Sequence, residues 1–485
     1  MQVGMSGGDL EGGRDQSRNA QVTNLKKLFY SKSRVGDQVA SDEQDQFGKS
    51  LGYFRDIPIA RFRMPALLPH QQVAFNIFQP ALVHLFESLL ATEKPWVYMH
   101  THLPGGVDSL GDPQYALPGL GISLGAESDA AGENAVLMGT LMQVVAVERQ
   151  SDARIVLISQ GISRAVVTHG TQALPYARGD VMTLHDAEAM EAAARLARRE
   201  LSRRTIDGDC GVHLRRSILA AAIAEDRSWG AYEYAPVELG RSLPASFATF
   251  AGDKALSACA ARTPAALMDS VAAAMAADDA PGEGTEVTTA IEACDAAQAA
   301  LTAALLSTEG MEASLALTLT AGQADAVEVA EQMEADAVLG AAEQQLWLEL
   351  DALFRALAER REQNRLPPHI MALLPPPPAG GWPEEFILDT RAAEQRAQAE
   401  SEREMAMFNP NLADDFHSGP MYQACDWTSY PARRRAQRLS FALWPWMSDA
   451  QQELQAALEA TSTADRLRMA TLKVRRVRKQ IARGG

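Results

Sequence analysis

Two imidazoles one residue apart, His100 and His102, are the pair best suited to metal chemistry. On a strand, alternate side chains share a face, so both rings could meet one ion. Asp108 is close in sequence, and His169 and His185 lie farther along. A catalytic zinc site takes three protein ligands, and no H-E-x-x-H or C-x-x-C motif supplies the rest. The alternative is a pair of surface histidines where a strand meets a loop. The phosphate-gripping motif G-x-x-x-x-G-K-[ST] is absent. Gly119-Leu120-Gly121-Ile122-Ser123-Leu124-Gly125 is spaced G-x-G-x-x-x-G with no βαβ unit around it, so it reads as a plain loop. A nucleophile elbow, G-x-S-x-G, is also missing. Ser163 follows Gly161, but Ala165 stands where the second glycine belongs.

One charged motif stands out, Lys473-Val474-Arg475-Arg476-Val477-Arg478-Lys479. Residues 431–485 hold 12 Lys or Arg against 4 Asp or Glu, so this segment carries +8 within a chain of net −17. The rest is therefore −25. The tail reads as a solvated helix face whose cations suit a helix C-terminus, or as an import signal or acidic-partner patch. The acidic body disfavours nucleic acid, which needs clustered cations over a broad face.

The elements that would position such residues come next. The chain has 485 residues, 47% of them hydrophobic, and four scattered cysteines, Cys210, Cys259, Cys294 and Cys425. That excludes a disulfide scaffold and a paired-cysteine zinc site. No apolar leader opens the sequence and no run is long enough to span a bilayer. The expectation is a soluble cytoplasmic or nuclear protein with no membrane partner.

Residues 1–53 are polar and read as a flexible arm. Residues 54–184 read as β-rich. Ile57 to Phe62 forms a short strand broken by Pro58. Val73-Ala74-Phe75-Asn76-Ile77-Phe78 alternates as a strand does, and Ala81 to Ala91 has helical spacing. Trp96 to Met99, Val136 to Val147, Ile155 to Ser159, Ile162 to Thr168 and Leu174 to Val181 read as further strands. Residues 101–134 form a long loop insertion. Helix starts at 185–250. Residues 251–430 are an Ala-rich and Pro-rich insertion with helices, with 31 alanines between 251 and 345. Leu346, Leu350, Leu353 and Leu357 mark a firm helix, and Pro375 to Pro378 a stiff linker. Residues 431–485 close a helical bundle. Ser448-x-x-Gln451 has capping-box spacing, and Ser462-x-x-Asp465 is a weaker start signal of the same kind.

The order of these pieces resembles the N-terminal substrate-binding domain of Lon proteases. The resemblance runs through Met64 to Pro69, then Phe75-Asn76-Ile77-Phe78-Gln79-Pro80 and the helix after it. It continues in Gly139 to Glu148, Arg154 to Gly161, and Pro175-Tyr176. A second stretch, Arg438 to Leu443 followed by Ser448 to Leu458 and on to Leu467, is similar to the family's helical half. Ala81-Leu82 departs from the family's usual Arg-Tyr, and the insertions exceed the family norm. The motif positions Pro69, Phe75, Ile77, Phe78, Pro80, Gly139, Glu148, Gly161, Pro175, Tyr176, Leu439, Leu458 and Leu467 are expected to be structural. Phe75, Ile77 and Phe78 are expected in the core, as are Trp96 and Tyr98.

The resemblance implies an α+β fold, a PUA-like β pseudo-barrel followed by a helical bundle. It implies a stand-alone, non-catalytic module without cofactor, since the family's ATPase and Ser-Lys peptidase modules have no counterpart in the sequence. Its partners would be unfolded or specific client proteins, with protease or ubiquitin-ligase components beside them. The competing readings are a metal-dependent hydrolase using His100 and His102, and an RNA-binding pseudo-barrel.

Overall fold

The computed structural model describes residues 49, 51–109, 115–120, 137–151, 154–201, 210–233, 284–307, 326–360, 366–394 and 431–483. The polar arm apart from residues 49 and 51–53, residues 251–283, Cys259 and Cys425 lie outside the described residues.

Six strands form the first half: β1 (Tyr53–Phe62), β2 (Gln72–Ile77), β3 (Val97–His102), β4 (Met138–Arg149), β5 (Ile155–Gln172) and β6 (Ala177–Leu184). The helix α1 (Pro80–Leu90) follows β2. The strand order is β2-β5-β4-β3-β1-β6, and β5 also pairs with β6. Five strands therefore close in a ring, not a barrel, and β2 hangs on its outside. All pairings are antiparallel except β1 with β3.

Closure depends on the length of β5. Its first part, Ile155 to Gln160, pairs with β2 and β4, and its last part, Arg164 to Gln172, pairs with β6. Two separate runs, split at Gly161, are thus one 18-residue strand. Gly161 is not a turn residue. A Cβ there would lie 2.5 Å from the Leu68 carbonyl oxygen, so the glycine admits a close backbone crossing. That crossing is hydrogen-bonded, with the His70 N–H donating to the Gly161 carbonyl. Pro58 does not break β1 either. It follows a register shift between Phe54 and Ile57, where a strand tolerates a missing donor. Asp56 sits in that bulge at φ 44°. Its carboxylate accepts from Arg178 Nε at 3.0 Å and from Thr171 Oγ1 at 2.5 Å.

The sheet has a core on each face. Phe75, Ile77, Tyr98, Met142 and Leu157 pack under Val83, Phe86 and Leu89 of α1. On the opposite side Ile59, Met99, Leu141, Val167 and Val181 pack with Leu117 from the long loop. Part of that loop therefore folds back on the ring.

The second half comprises α2 (Ala187–Leu201), α3 (Cys210–Glu233), α4 (Gly284–Ser307), α5 (Ala326–Glu359), the short α6 (Pro368–Met371), α7 (Ala432–Ala442), the short α8 (Trp444–Met447), α9 (Gln451–Glu459) and α10 (Thr463–Arg483). Trp347, Leu350 and Phe354 of α5 share one buried cluster with Leu439 and Phe441 of α7 and with Leu467, Ala470 and Val474 of α10. The predicted leucine ladder of α5 is buried throughout. Met138, Val166, Met182 and Leu184 of the sheet enter the same cluster, so the two halves share apolar surface.

The capping box at Ser448 does not form. Ser448 ends α8 and its hydroxyl accepts from the Ala450 N–H, while Gln451 Oε1 accepts from the Ala66 N–H at 2.6 Å. That glutamine bridges to the β half instead. At Ser462 the hydroxyl does accept from the Asp465 N–H, at 3.2 Å. The other free N–H groups, those of Thr463 and Ala464, donate to Glu188 of α2, each at 3.0 Å. Asp465 pairs with Arg468.

Candidate functional site

The histidine pair was the leading chemical candidate. Alternation on β3 does put both rings on one side, and both meet the 64–65 segment. His102 Nδ1 lies 2.8 Å from the Met64 carbonyl and His100 Nε2 3.4 Å from that of Pro65. His100 is buried and stacks on Phe62, with ring centroids 5.4 Å apart. It is thus not the surface histidine expected. Burial pushes its pKa down, with the Pro65 carbonyl opposing and His102 adding to the fall, to about 4. His100 is therefore neutral at pH 7. Among the described residues no three His, Cys, Asp or Glu side chains are grouped as metal ligands. His185 is occupied elsewhere, 3.3 Å from Asp226.

The most concentrated polar chemistry is one that no motif announced. Asp186, just beyond β6, is buried with Arg164 of β5, Arg466 of α10 and Thr463. Arg164 Nη2 donates to Asp186 Oδ1 at 2.5 Å, Arg466 Nη1 to the same oxygen at 2.9 Å, and Arg466 Nη2 to Oδ2. Thr463 Oγ1 donates to Oδ2 at 2.6 Å. The two guanidiniums also satisfy backbone carbonyls. Arg164 bonds those of Leu458 and Ala460, and Arg466 that of Ala460. Arg466 lies 3.9 Å from the Phe441 ring centroid, a cation–π contact. Burial alone would raise the Asp186 pKa, but Arg466 and Arg164 outweigh it and hold the carboxyl at about 2. Two buried cations on one buried anion, with further donors and acceptors satisfied, form a structural clasp. It fastens the sheet to the helices.

The basic tail is similarly engaged. Lys473 pairs with Glu453, and Arg475 and Arg478 with Glu349. Upstream, Arg433 meets Glu225, Arg434 meets Asp226, and Arg435 meets buried Glu343. Arg433, Arg434, Arg435, Arg475 and Arg478 of the +8 segment therefore meet acids of the −25 body, while the Lys473 pair lies inside the segment.

Among the described residues, β2 is paired with another strand on one side only. This strand pairs with β5 and ends the strand order. Phe75 and Ile77 point into the core, whereas Ala74, Asn76 and Phe78 are exposed. Phe78, expected in the core, is 55% exposed, because period-two alternation, continued one residue past β2, places it with Asn76 and not with Ile77. Leu174, 60% exposed in the β5–β6 hairpin, is a second outward apolar side chain. Beside it Tyr176 is buried, its ring edge-on to His84 of α1 at 5.5 Å. Trp96 is half-buried and Tyr98 fully buried. Of the remaining motif positions, Pro69, Gly139, Gly161, Leu439, Leu458 and Leu467 are buried, Pro175 is half-buried, and Pro80 and Glu148 are exposed. Gly139 is forced by sterics, since a Cβ there would lie 2.1 Å from the His100 carbonyl oxygen.

These features define a mixed α+β domain, a sheet closed in a ring and clasped to a helical region. Residues 56–280 match the family model of the ATP-dependent protease La (LON) substrate-binding domain. Over those residues the chain is similar to a Lon N-terminal substrate-binding domain. Two solved structures are similar. A Lon N-terminal domain protein from Xanthomonas campestris is 13% identical, with 35% of this chain and 81% of that one covered, at a TM-score of 0.19. The N-terminal domain of Mycobacterium avium complex Lon protease is also 13% identical, with 45% and 98% covered, at a TM-score of 0.19. At that score neither bears on the assignment. No curated protein matches the chain. The C-terminal stretch that resembles the family's helical half lies beyond the matched residues, yet it packs into the same core as the sheet. No helix among the described residues is long and apolar enough to cross a membrane.

Proposed function

We propose that this protein recognises extended, apolar polypeptide segments and acts as a non-catalytic client-binding module that serves ATP- or ubiquitin-dependent proteolysis. The observation that carries the reading is the match of residues 56–280 to a substrate-binding domain. The outward row of β2 supplies a physical means. An extended client can add to a strand edge through main-chain hydrogen bonds while alternate side chains meet Ala74, Asn76 and Phe78. The pseudo-barrel architecture of PUA-like domains is the fold description that accompanies this reading. RNA binding is the weaker alternative, because basic side chains of the tail are engaged by Glu349 and Glu453.

The test is fluorescence anisotropy of a labelled, permanently unfolded protein titrated with the full chain, wild-type and Phe78→Asp. The expected result is saturable binding that weakens at least tenfold in the variant with an unchanged melting temperature. Absence of binding by wild type overturns the function. Equal binding by the variant overturns the surface.

A further inference from the structure

We infer that Pro375-Pro376-Pro377-Pro378 is a preformed polyproline II ridge that docks into a groove of parallel aromatic side chains with basic residues at its rim, on another protein. This inference is independent of client binding by β2.

The run reads in sequence as a linker, but the structure pins it at both ends. On the N-terminal side Leu373 and Leu374 are buried in the helical core. On the C-terminal side Trp382 stacks on buried Phe386 at 4.3 Å between centroids. A little farther on, the Ile387 and Leu388 N–H groups donate to the buried carboxylate of Asp351 in α5. The Gly381 N–H donates to the Pro378 carbonyl at 2.7 Å, closing a turn just after the run.

The conformation between the pins follows from covalent geometry. Pro375, Pro376 and Pro377 are each proline and each precede proline. The ring fixes φ near −65°, and the next ring drives ψ to the extended range. That is polyproline II, and none of the four follows a cis bond. Its three residues per turn put Pro375 and Pro378 on one edge. Those two are half-buried, while Pro376 and Pro377 are exposed. Over this run of about 12 Å, at about 3.1 Å per residue, one edge therefore rests on the protein and the other two, carrying Pro376 and Pro377, face solvent. Readers of polyproline use such edges, and a ridge already ordered spares the entropy of ordering it on binding.

Charge selects the kind of groove. From Arg365 to Arg391 the sequence holds no Lys or Arg between the two, but it holds Glu384, Glu385 and Asp389. Arg355 reaches toward this segment from α5 and is paired with Asp351 and Glu385. A groove that seeks a cation beside the prolines finds an acidic flank, and a basic rim is complementary to it.

The experiment is isothermal titration of the full chain with two isolated reader domains. One is an EVH1 domain with a basic-rimmed aromatic groove, and the other is an SH3 domain with an acidic one. The EVH1 domain is expected to bind, with at least tenfold loss in P376A/P377A and severalfold loss in Glu384→Lys. Both positions of the double variant are exposed, so its circular dichroism should match wild type. If it does not, the Glu384→Lys result decides. Failure of the EVH1 domain to bind, or binding that the substitutions leave unchanged, overturns the proposal. Preference for the SH3 domain overturns the basic rim.

Discussion

The two halves of this molecule are held by different forces. The ring of strands coheres through apolar side chains on both sheet faces, brought together largely by elements close in sequence. The helical half also has an apolar core, which takes in sheet side chains, but its seam with the sheet and its outer helices adds buried charge. Asp186 with Arg164 and Arg466, Glu343 with Arg435, and Glu225 with Arg433 each join distant segments. Apolar packing forgives small errors of placement. A buried ion does not, because removing one partner leaves the other desolvated and uncompensated. The seam is therefore the more specific and the more fragile of the two.

The sharpest way to break that contrast is Asp186→Ala. It strands two buried guanidiniums and should cost about 3–5 kcal/mol, read by urea denaturation of the full chain. A loss below about 1 kcal/mol would show that the clasp is incidental. In the ring, Phe75→Ala should cost about 3–4 kcal/mol by cavity formation. Phe78→Ala, three residues on and exposed, should stay within about 0.5 kcal/mol. Similar losses for the two would mean that the alternation of β2 has been misassigned.

A pH-dependent loss also separates the halves. Burial lowers the His100 pKa from 6.5 to about 4, so the unfolded chain binds the proton more readily. Stability from neutral His100 is then full above pH 6.5 and lost as pH falls toward 4, up to about 3 kcal/mol. Asp186, also depressed, keeps its contribution until pH falls through the range from 3.8 to about 2. Acid titration followed by near-ultraviolet circular dichroism should loosen the ring before the seam. A His100→Phe variant should remove the earlier phase. A first transition below pH 4 in wild type would reverse the order.

Legibility in sequence followed the same divide. The alternation of Val73 to Phe78 and the leucine spacing of α5 could be read directly, since period reports which face is buried. Even so, Phe78 was grouped with its apolar neighbours although its parity set it apart. Gly161 looked like a break because a glycine needed for a close crossing is indistinguishable from one needed for a turn. The clasp left no local trace. Asp186 lies 280 residues from Arg466, and nothing near either marks the pairing. Arg433-Arg434-Arg435 entered only the charge count of residues 431–485, whereas their acids lie about 90 to 210 residues away in α3 and α5. Outward features such as Phe78 carry no pattern beyond their parity.

The clasp also bears on when the protein becomes whole. A ribosome adding about 5–20 residues per second reaches Arg466 roughly 15–55 s after Asp186. During that interval Arg164 has neither the Leu458 nor the Ala460 carbonyl to bond, because those residues are not yet made. The sheet side chains Met138, Val166, Met182 and Leu184 likewise await the C-terminal helices that complete their cluster. The segment from Leu458 to Arg466 thus acts as the latch, and a message truncated before residue 460 would release a ring of strands with its inner seam open.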